Sequence, residues 1–156
     1  MSEPWHGLPK LLAEDVAGCW SSVFPKGVPA WLTSPEGMDD AVVATAISRS
    51  LFLRQTLERH PEQVQPLLAS RLLTEPTTPE YLQSRWQDYL AGVDGEPALH
   101  SALRQFRMES QFRIIWRDLM RWADLAETMA ATSAFADICI EGALDWLYQD
   151  ACEQYG

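Results

Sequence analysis

The sequence predicts an all-α protein: a helical bundle with a long antiparallel pair of C-terminal helices, preceded by an irregular segment rich in proline and glycine. Apolar residues recur at helical spacing over long stretches after residue 38. No stretch shows the sustained alternation of a strand, and no Asn-Gly hairpin turn occurs in the sequence. Prolines and capping residues then divide the helical part into separate helices.

Residues 1–38 are predicted as an irregular N-terminal segment that contains one short helix. They hold five of the ten prolines and four of the eight glycines, which interrupt regular structure. The short helix is expected over Lys10–Trp20, and an extended or looping stretch over Val28–Met38. We interpret this segment as a subregion rather than a separate domain, and residues 39–156 as one helical domain.

The helical domain begins with a helix that either Asp39 or Asp40 can cap. Pro61 ends this helix and begins a shorter one over residues 61–70, because proline is tolerated in the first turn of a helix but not in its interior. A further helix is expected to begin at Pro79, with Thr78 as its cap.

Two long helices complete the predicted bundle. The first is expected over residues 97–122, and Asp124 caps the second, which runs nearly to residue 156. Glu127 follows this cap by three residues in an arrangement like a capping box. Because the connection is about two residues long, the two helices are expected to be antiparallel neighbours.

These two helices carry opposite charges. The first contains five of the twelve basic residues: Arg104, Arg107, Arg113, Arg117 and Arg121. The region after residue 122 contains seven acids and no Lys, Arg or His. We therefore expect the arginines, Arg104 and Arg107 above all, to form ion pairs with acids of the last helix. The acids in question are Asp137, Glu141 and Asp145.

An anion or interface site is the alternative interpretation of the same arginines, because the forked guanidinium suits phosphate. Its candidate residues are Arg104, Arg107, Arg113 and Arg117.

No residue of the sequence is assigned a catalytic, cofactor-binding or metal-ligating role. The three histidines are scattered and no phosphate-binding glycine motif occurs. The acids at positions 137, 141 and 145 share a helix face, which suits a solvated or arginine-facing stripe better than a cation site. Gly142, inside the last helix, is expected to permit close contact with another helix.

The composition excludes several classes of protein. The net charge of −10, from 22 acids and 12 bases, disfavours binding to nucleic acid or an anionic membrane. Three cysteines without a Cys-x-x-Cys motif suit a reducing cytoplasm. No hydrophobic run reaches the roughly 20 residues of a membrane span, and the N-terminus lacks the features of a secretory signal.

The C-terminal third carries a pattern of short motifs. They are Leu103-Arg104, Phe106-Arg107, "RIIWRDL" over 113–119, "ADLAET" over 123–128, Ala136-Asp137 and "DWLY" over 145–148. This pattern resembles the region just before the first catalytic domain of bacterial glutamine synthetase adenylyltransferase/adenylyl-removing enzymes. A weaker similarity covers 48–69, where "RHPE" occurs at 59–62. Two departures from the family pattern are Met108-Glu109-Ser110, in place of a further basic run, and Ala126, in place of a frequent Glu.

The resemblance implies a longer parent enzyme that transfers AMP from ATP to a tyrosine of glutamine synthetase and removes it by phosphorolysis. Glutamine and the PII signalling protein would regulate this parent, and Mg²⁺ would be held by acidic residues at the phosphates. The family's Gly-Lys-Leu-Gly-Gly-type loop and Ser-Asp-x-Asp motif do not occur in these 156 residues. Residues 39–156 would therefore be a helical domain preceding the first nucleotidyltransferase domain.

Such a region is expected to be cytoplasmic, to be inactive alone and to bind no cofactor itself. Its partners would be the remainder of its own polypeptide and, for the parent, glutamine synthetase and PII. It could also carry an effector surface for the parent. The alternative from another class is a free-standing helical module that binds an amphipathic partner helix.

Overall fold

A computed structural model describes residue 5 and residues 8–24, 40–69 and 72–156. Within these ranges the chain forms seven α-helices and one 3₁₀ turn over Leu72–Thr74. The helices are α1 (Lys10–Val23), α2 (Asp40–Arg49), α3 (Leu51–Arg59), α4 (Pro61–Leu68), α5 (Pro79–Leu90), α6 (Glu96–Leu119) and α7 (Leu125–Tyr155). None of the described residues lies in a β-strand, so the predicted all-α class is confirmed.

The short N-terminal helix is present as α1 and extends three residues beyond its predicted end. Its buried side consists of Val16, Cys19 and Trp20. The looping stretch predicted over 28–38 and the domain boundary after residue 38 fall outside the described residues, so both stay predictions.

The single helix expected from Asp39 or Asp40 to Pro61 is wrong: the chain forms two helices that meet at Ser50. Ser50 has extended backbone angles (φ −138°, ψ 116°), and its hydroxyl accepts a hydrogen bond from the Leu53 N–H at 3.3 Å. A serine side chain that satisfies a free N–H starts a new helix in this way. Apolar residues continue at helical spacing on both sides of Ser50, so their pattern in the sequence does not indicate that one helix ends there and another begins.

The other predicted helix starts are confirmed. Pro61 is the first residue of α4, and the Thr78 hydroxyl accepts from the Tyr81 N–H at the start of α5, at 3.2 Å. Asp124 caps α7 by accepting from the Glu127 N–H at 2.8 Å. These caps act within one turn of the chain, which makes them readable from sequence.

Helix α6 ends at Leu119, three residues before its predicted end. Arg121 adopts a left-handed conformation with φ of 57°. Its N–H donates to the Asp118 carbonyl at 3.0 Å, and the Trp122 N–H donates to the Arg117 carbonyl at 2.9 Å. These two bonds are those of a Schellman motif, which glycine usually completes.

The chain divides into two compact units. The first comprises the described residues up to Glu75 together with Ile115–Trp122, and α1–α4 pack on one another within it. The second comprises Pro76–Ile114 and Ala123–Gly156. Its core contains Leu82, Trp86, Leu99, Ala102, Phe106, Ala131 and Ile138.

In the second unit α5 packs closely along α7. The antiparallel pairing of α6 with α7 stays a prediction. Within the described ranges, no helix is both long enough and apolar enough to cross a membrane.

Arg121→Gly is expected to raise the free energy of unfolding by about 0.5–1 kcal/mol, because glycine enters the left-handed region without the steric cost that an L-residue bears. Chemical denaturation of the purified chain measures this. Arg107→Gly, at an exposed position inside α6, is the control and is expected to lose about 1 kcal/mol. Equal losses for both variants would contradict the assigned conformation.

Candidate functional site

Arg113 lies fully buried on α6 and holds the segment that leads into α5. Its Nε donates to the Thr77 hydroxyl at 2.9 Å and its Nη2 donates to the Pro76 carbonyl at 3.3 Å. Its guanidinium carbon lies 4.1 Å from the centre of the Tyr81 ring, a cation–π distance. The guanidinium is therefore directed at the protein's own backbone and side chains.

The same segment is also held from α7. A carboxylate oxygen of Glu127 accepts from the Thr77 N–H at 2.9 Å. Glu127 was predicted as part of a cap, and its backbone N–H does donate to Asp124. Its carboxylate, however, links α7 to residue 77, a contact between residues 50 positions apart that local sequence rules cannot detect.

Arg117 is buried in the first unit, where it joins two backbone segments. Its Nη1 donates to the Leu73 carbonyl in the 3₁₀ turn at 3.0 Å, and its Nη2 donates to the Trp122 carbonyl at 3.1 Å. The Arg117 carbonyl also accepts from the Trp122 N–H. Arg117 therefore binds Trp122 through both its backbone and its side chain, at the C-terminal end of α6. The geometry favours a structural role for Arg113 and Arg117.

Arg104 and Arg107 are exposed. The ion pairs predicted between them and the acids of α7 are wrong: in the described part of the chain, no contact within 4 Å joins either arginine to an α7 carboxylate. Burial raises the pKa of the Cys139 thiol on α7, and the positive charge of Arg107 partly opposes that rise. Exposed ion pairs contribute little free energy, so the fold does not require these two pairings.

A cluster that the sequence did not indicate joins α5 to α6. Arg85 donates to both carboxylate oxygens of the buried Glu109, each at 2.8 Å, and the Tyr89 hydroxyl donates to Glu109 at 2.5 Å. Hydrogen bonding to Glu109 raises the pKa of Arg85, and burial, followed by the bond to Glu109, raises the pKa of Tyr89. Both partners thus stay in the protonated form, and the carboxylate is held in a bidentate arrangement.

Sequence reasoning missed this cluster because its members are 20 and 24 residues apart on different helices. Glu109 stood out only as an acid where the family has a further basic residue. In this chain the acid at position 109 is bound by Arg85.

A polar cleft of about 290 Å³ lies between α5 and α7. Its lining residues are Gln83, Trp86, Gln87, Leu90, Ile138, Glu141, Gly142, Asp145, Trp146 and Gln149. Glu141 and Asp145 are exposed on α7 and give the cleft an acidic side. Nowhere in residues 8–24, 40–69 and 72–156 do three or more His, Cys, Asp or Glu side chains come together in a way that could hold a metal ion.

Gly142 lies against the buried indole of Trp86 at this cleft. A Cβ atom added at Gly142 would lie 2.6 Å from Trp86 Cε2 and still closer to Nε1, which is too close for any side chain. The predicted role of Gly142 in close helix contact is confirmed.

A family model described as glutamate-ammonia ligase adenylyltransferase matches residues 41–156. The chain belongs to this family. The match includes α2–α7 in full except for the first residue of α2, and it confirms the resemblance found in the motifs.

Curated proteins also match most of the chain. A Pseudomonas aeruginosa protein is 48% identical over 117 residues, which is 75% of this chain and 11% of that protein. A Pseudomonas putida protein is 35% identical over 81% of this chain and 13% of its own length. A Shewanella oneidensis protein is 32% identical over 72% of this chain and 12% of its own length. All three are named bifunctional glutamine synthetase adenylyltransferase/adenylyl-removing enzyme.

The chain therefore spans 11–13% of the length of these relatives. No solved structure matches it.

Gly142→Ala is expected to lower the free energy of unfolding by about 2 kcal/mol, because the new methyl group must displace the Trp86 indole in a packed core. Gly18→Ala is the matched control: Gly18 is an exposed residue of α1 with no heavy atom within 4 Å of an added Cβ. That variant is expected to gain about 0.5–1 kcal/mol. Denaturant titration separates the two, and a neutral Gly142→Ala would refute the close contact.

Arg113→Lys is expected to cost about 2 kcal/mol of stability, because a lysine cannot reproduce the forked donation to Thr77 and Pro76. Arg107→Lys, which alters an exposed arginine of the same helix, is expected to change stability by less than about 0.5 kcal/mol. If both variants were equally stable, the structural role of Arg113 would be wrong and the anion-site hypothesis would gain.

Proposed function

We propose that this chain is the N-terminal, non-catalytic helical part of a bifunctional enzyme that adenylylates and deadenylylates glutamine synthetase. The observation that carries the proposal is the match of residues 41–156 to the glutamate-ammonia ligase adenylyltransferase family. The names of the relatives supply the two activities, and the 11–13% of their length that the chain spans supports its role as one part of a larger protein.

The contacts of the polar residues support a non-catalytic role for this part. The guanidinium groups of Arg113 and Arg117 donate to Thr77, to Pro76 and to the carbonyls of Leu73 and Trp122. Glu109 is bound by Arg85 and Tyr89. Side chains engaged in this way stabilise the fold, and they are not free to act on a substrate.

The acids and buried arginines of the described residues bear on where the enzyme would bind Mg²⁺ and ATP, which the family resemblance implies. The acids of α7 are spread along one helix and do not converge on one point, whereas a magnesium site needs carboxylates gathered around the ion. The two buried arginines are directed at protein acceptors. We therefore assign ATP and Mg²⁺ binding to the remainder of the enzyme, and no step of AMP transfer to this chain.

The partners follow from this assignment. The remainder of the polypeptide is the direct partner of this chain, while glutamine synthetase and PII are partners of the whole enzyme. The free thiols of Cys19, Cys139 and Cys152 support a reducing, cytoplasmic location. Arg104 and Arg107, both exposed, are the members of the predicted arginine set that could contribute to an interface.

A free-standing helical interaction module is the second candidate, favoured by the exposed apolar side chains of α7. The reading frame beyond codon 156 distinguishes the two. An immediate stop codon favours the module, and a continuing frame that encodes nucleotidyltransferase motifs favours the part of a longer enzyme.

The purified chain is expected neither to transfer AMP to glutamine synthetase nor to remove it. Incorporation of labelled AMP from ATP, and its release by phosphate, measure the two reactions, with the full-length Pseudomonas aeruginosa relative as the positive control. Either reaction above the buffer level with the purified chain would refute the non-catalytic assignment.

A further inference from the structure

The side of α7 that faces away from its buried residues carries a continuous exposed stripe. We call it the outer stripe; it consists of Met129, Ser133, Ala136, Ile140, Leu144, Leu147 and Ala151, all exposed. The intervals between successive members are 4, 3 and 4 residues, and this set occurs twice. At 100° per residue the members lie within about 80° of one another and extend over about 33 Å of helix.

The buried residues of α7, Ala131 and Ile138, lie on the opposite side of the helix. Ile140 and Leu144 of the outer stripe are 67% and 65% exposed. A helix on the surface of a globular protein carries one apolar face, and a helix that is apolar on two opposite faces is one that is covered on both. The outer stripe is exposed in this structure, but its composition is that of a face suited to contact with another element.

We propose that the outer stripe binds an amphipathic helix supplied by the remainder of the full-length polypeptide, with basic residues along one of its edges. The inference rests on the proposed function. Because the chain spans only 11–13% of its relatives, most of a relative's polypeptide lies outside this region. The occupant is thus available on the same chain, at a high effective concentration.

The periodicity of the stripe indicates that its occupant is a helix. An 11-residue repeat of apolar positions averages 3.67 residues per turn, so the stripe runs almost straight along α7. Helices pack side by side along such seams, and side chains of one fit between those of the other. The small residues Ser133, Ala136 and Ala151 permit a close approach, while Ile140, Leu144 and Leu147 supply the apolar area.

Charge indicates a basic edge on the occupant and argues against a second copy of this chain. Asp137 and Glu141 are exposed beside the stripe, and in the described structure neither lies within 4 Å of a basic group. Residues 123–156 contain no Lys, Arg or His. Two α7 helices packed through their stripes would bring like charges together, whereas a helix with a basic edge would pair with these acids.

The test compares the reactivity of an introduced cysteine in the full-length enzyme and in the 156-residue chain. Leu144→Cys places a thiol in the stripe, and Thr132→Cys places one at an exposed position of α7 outside it; Cys152→Ser removes the exposed native thiol of α7 in both. Alkylation by N-ethylmaleimide is followed peptide by peptide by mass spectrometry. Residue 144 is expected to react at least about tenfold more slowly in the full-length enzyme than in the chain, because a covered thiol reacts only after local opening, while residue 132 reacts at similar rates in both.

Each outcome has a defined meaning. Equal rates at residue 144 in the chain and in an active full-length enzyme overturn the docking proposal and leave the proposed function intact. Slowing in the isolated chain that increases with its concentration identifies a second copy as the occupant and also overturns the proposal. Failure of the full-length protein to modify glutamine synthetase, by contrast, overturns the proposed function.

A photoreactive amino acid at position 140 of the full-length enzyme identifies the occupant. Crosslinks to residues of the same polypeptide spaced 3 and 4 apart, with Lys or Arg beside them, are expected for a helix with a basic edge. Crosslinks to every second residue would indicate a strand, and crosslinks to glutamine synthetase would indicate another protein. Either result contradicts the proposal.

Discussion

The packing of the second unit depends on a guanidinium that has almost no contact with water. Arg113 is permanently charged, and transferring a charge into a protein interior is costly unless hydrogen bonds replace the lost hydration. The hydroxyl of Thr77, the carbonyl of Pro76 and the face of the Tyr81 ring supply that replacement. Because all three lie at or just before the start of α5, satisfying the charge also fixes where that helix begins.

The parts of the fold that local chemistry decides were predictable. Thr78 and Asp124 cap the helices that follow them, and Pro61 starts a helix because a residue in the first turn needs no backbone N–H for an intrahelical bond. The break at Ser50 was not predictable, since a serine inside an apolar period fits a continuous helix as well as a new cap. The end of α6 was not predicted for a related reason. Arg121 has the left-handed conformation that ends the helix, and a sequence usually signals that conformation by a glycine.

The arginines of α6 show why a helical wheel is insufficient for a candidate site. The wheel places Arg113 and Arg117 on a helix face, but it cannot distinguish the acids of a neighbouring helix from the carbonyls of a loop. The Arg117 partner, Leu73, lies 44 residues earlier in the chain. In the same way Glu109 could be identified only as a departure from a family pattern, because its partner Arg85 lies on another helix. The family motifs are compared position by position along the sequence, and the family they indicated is confirmed. The predicted ion pairs of Arg104 and Arg107 depended on how helices pack, and they were wrong.

The division into units has a consequence for how the chain is made. The first unit includes residues 115–122, and residues 76–114 of the second unit are inserted before them in the sequence. A ribosome therefore releases most of the first unit long before Arg117 is available to bind the Leu73 carbonyl. Folding from the N-terminus cannot finish one unit before the other is partly synthesised. For the same reason, proteolysis or gene truncation at any single point between residues 76 and 114 would leave both units incomplete.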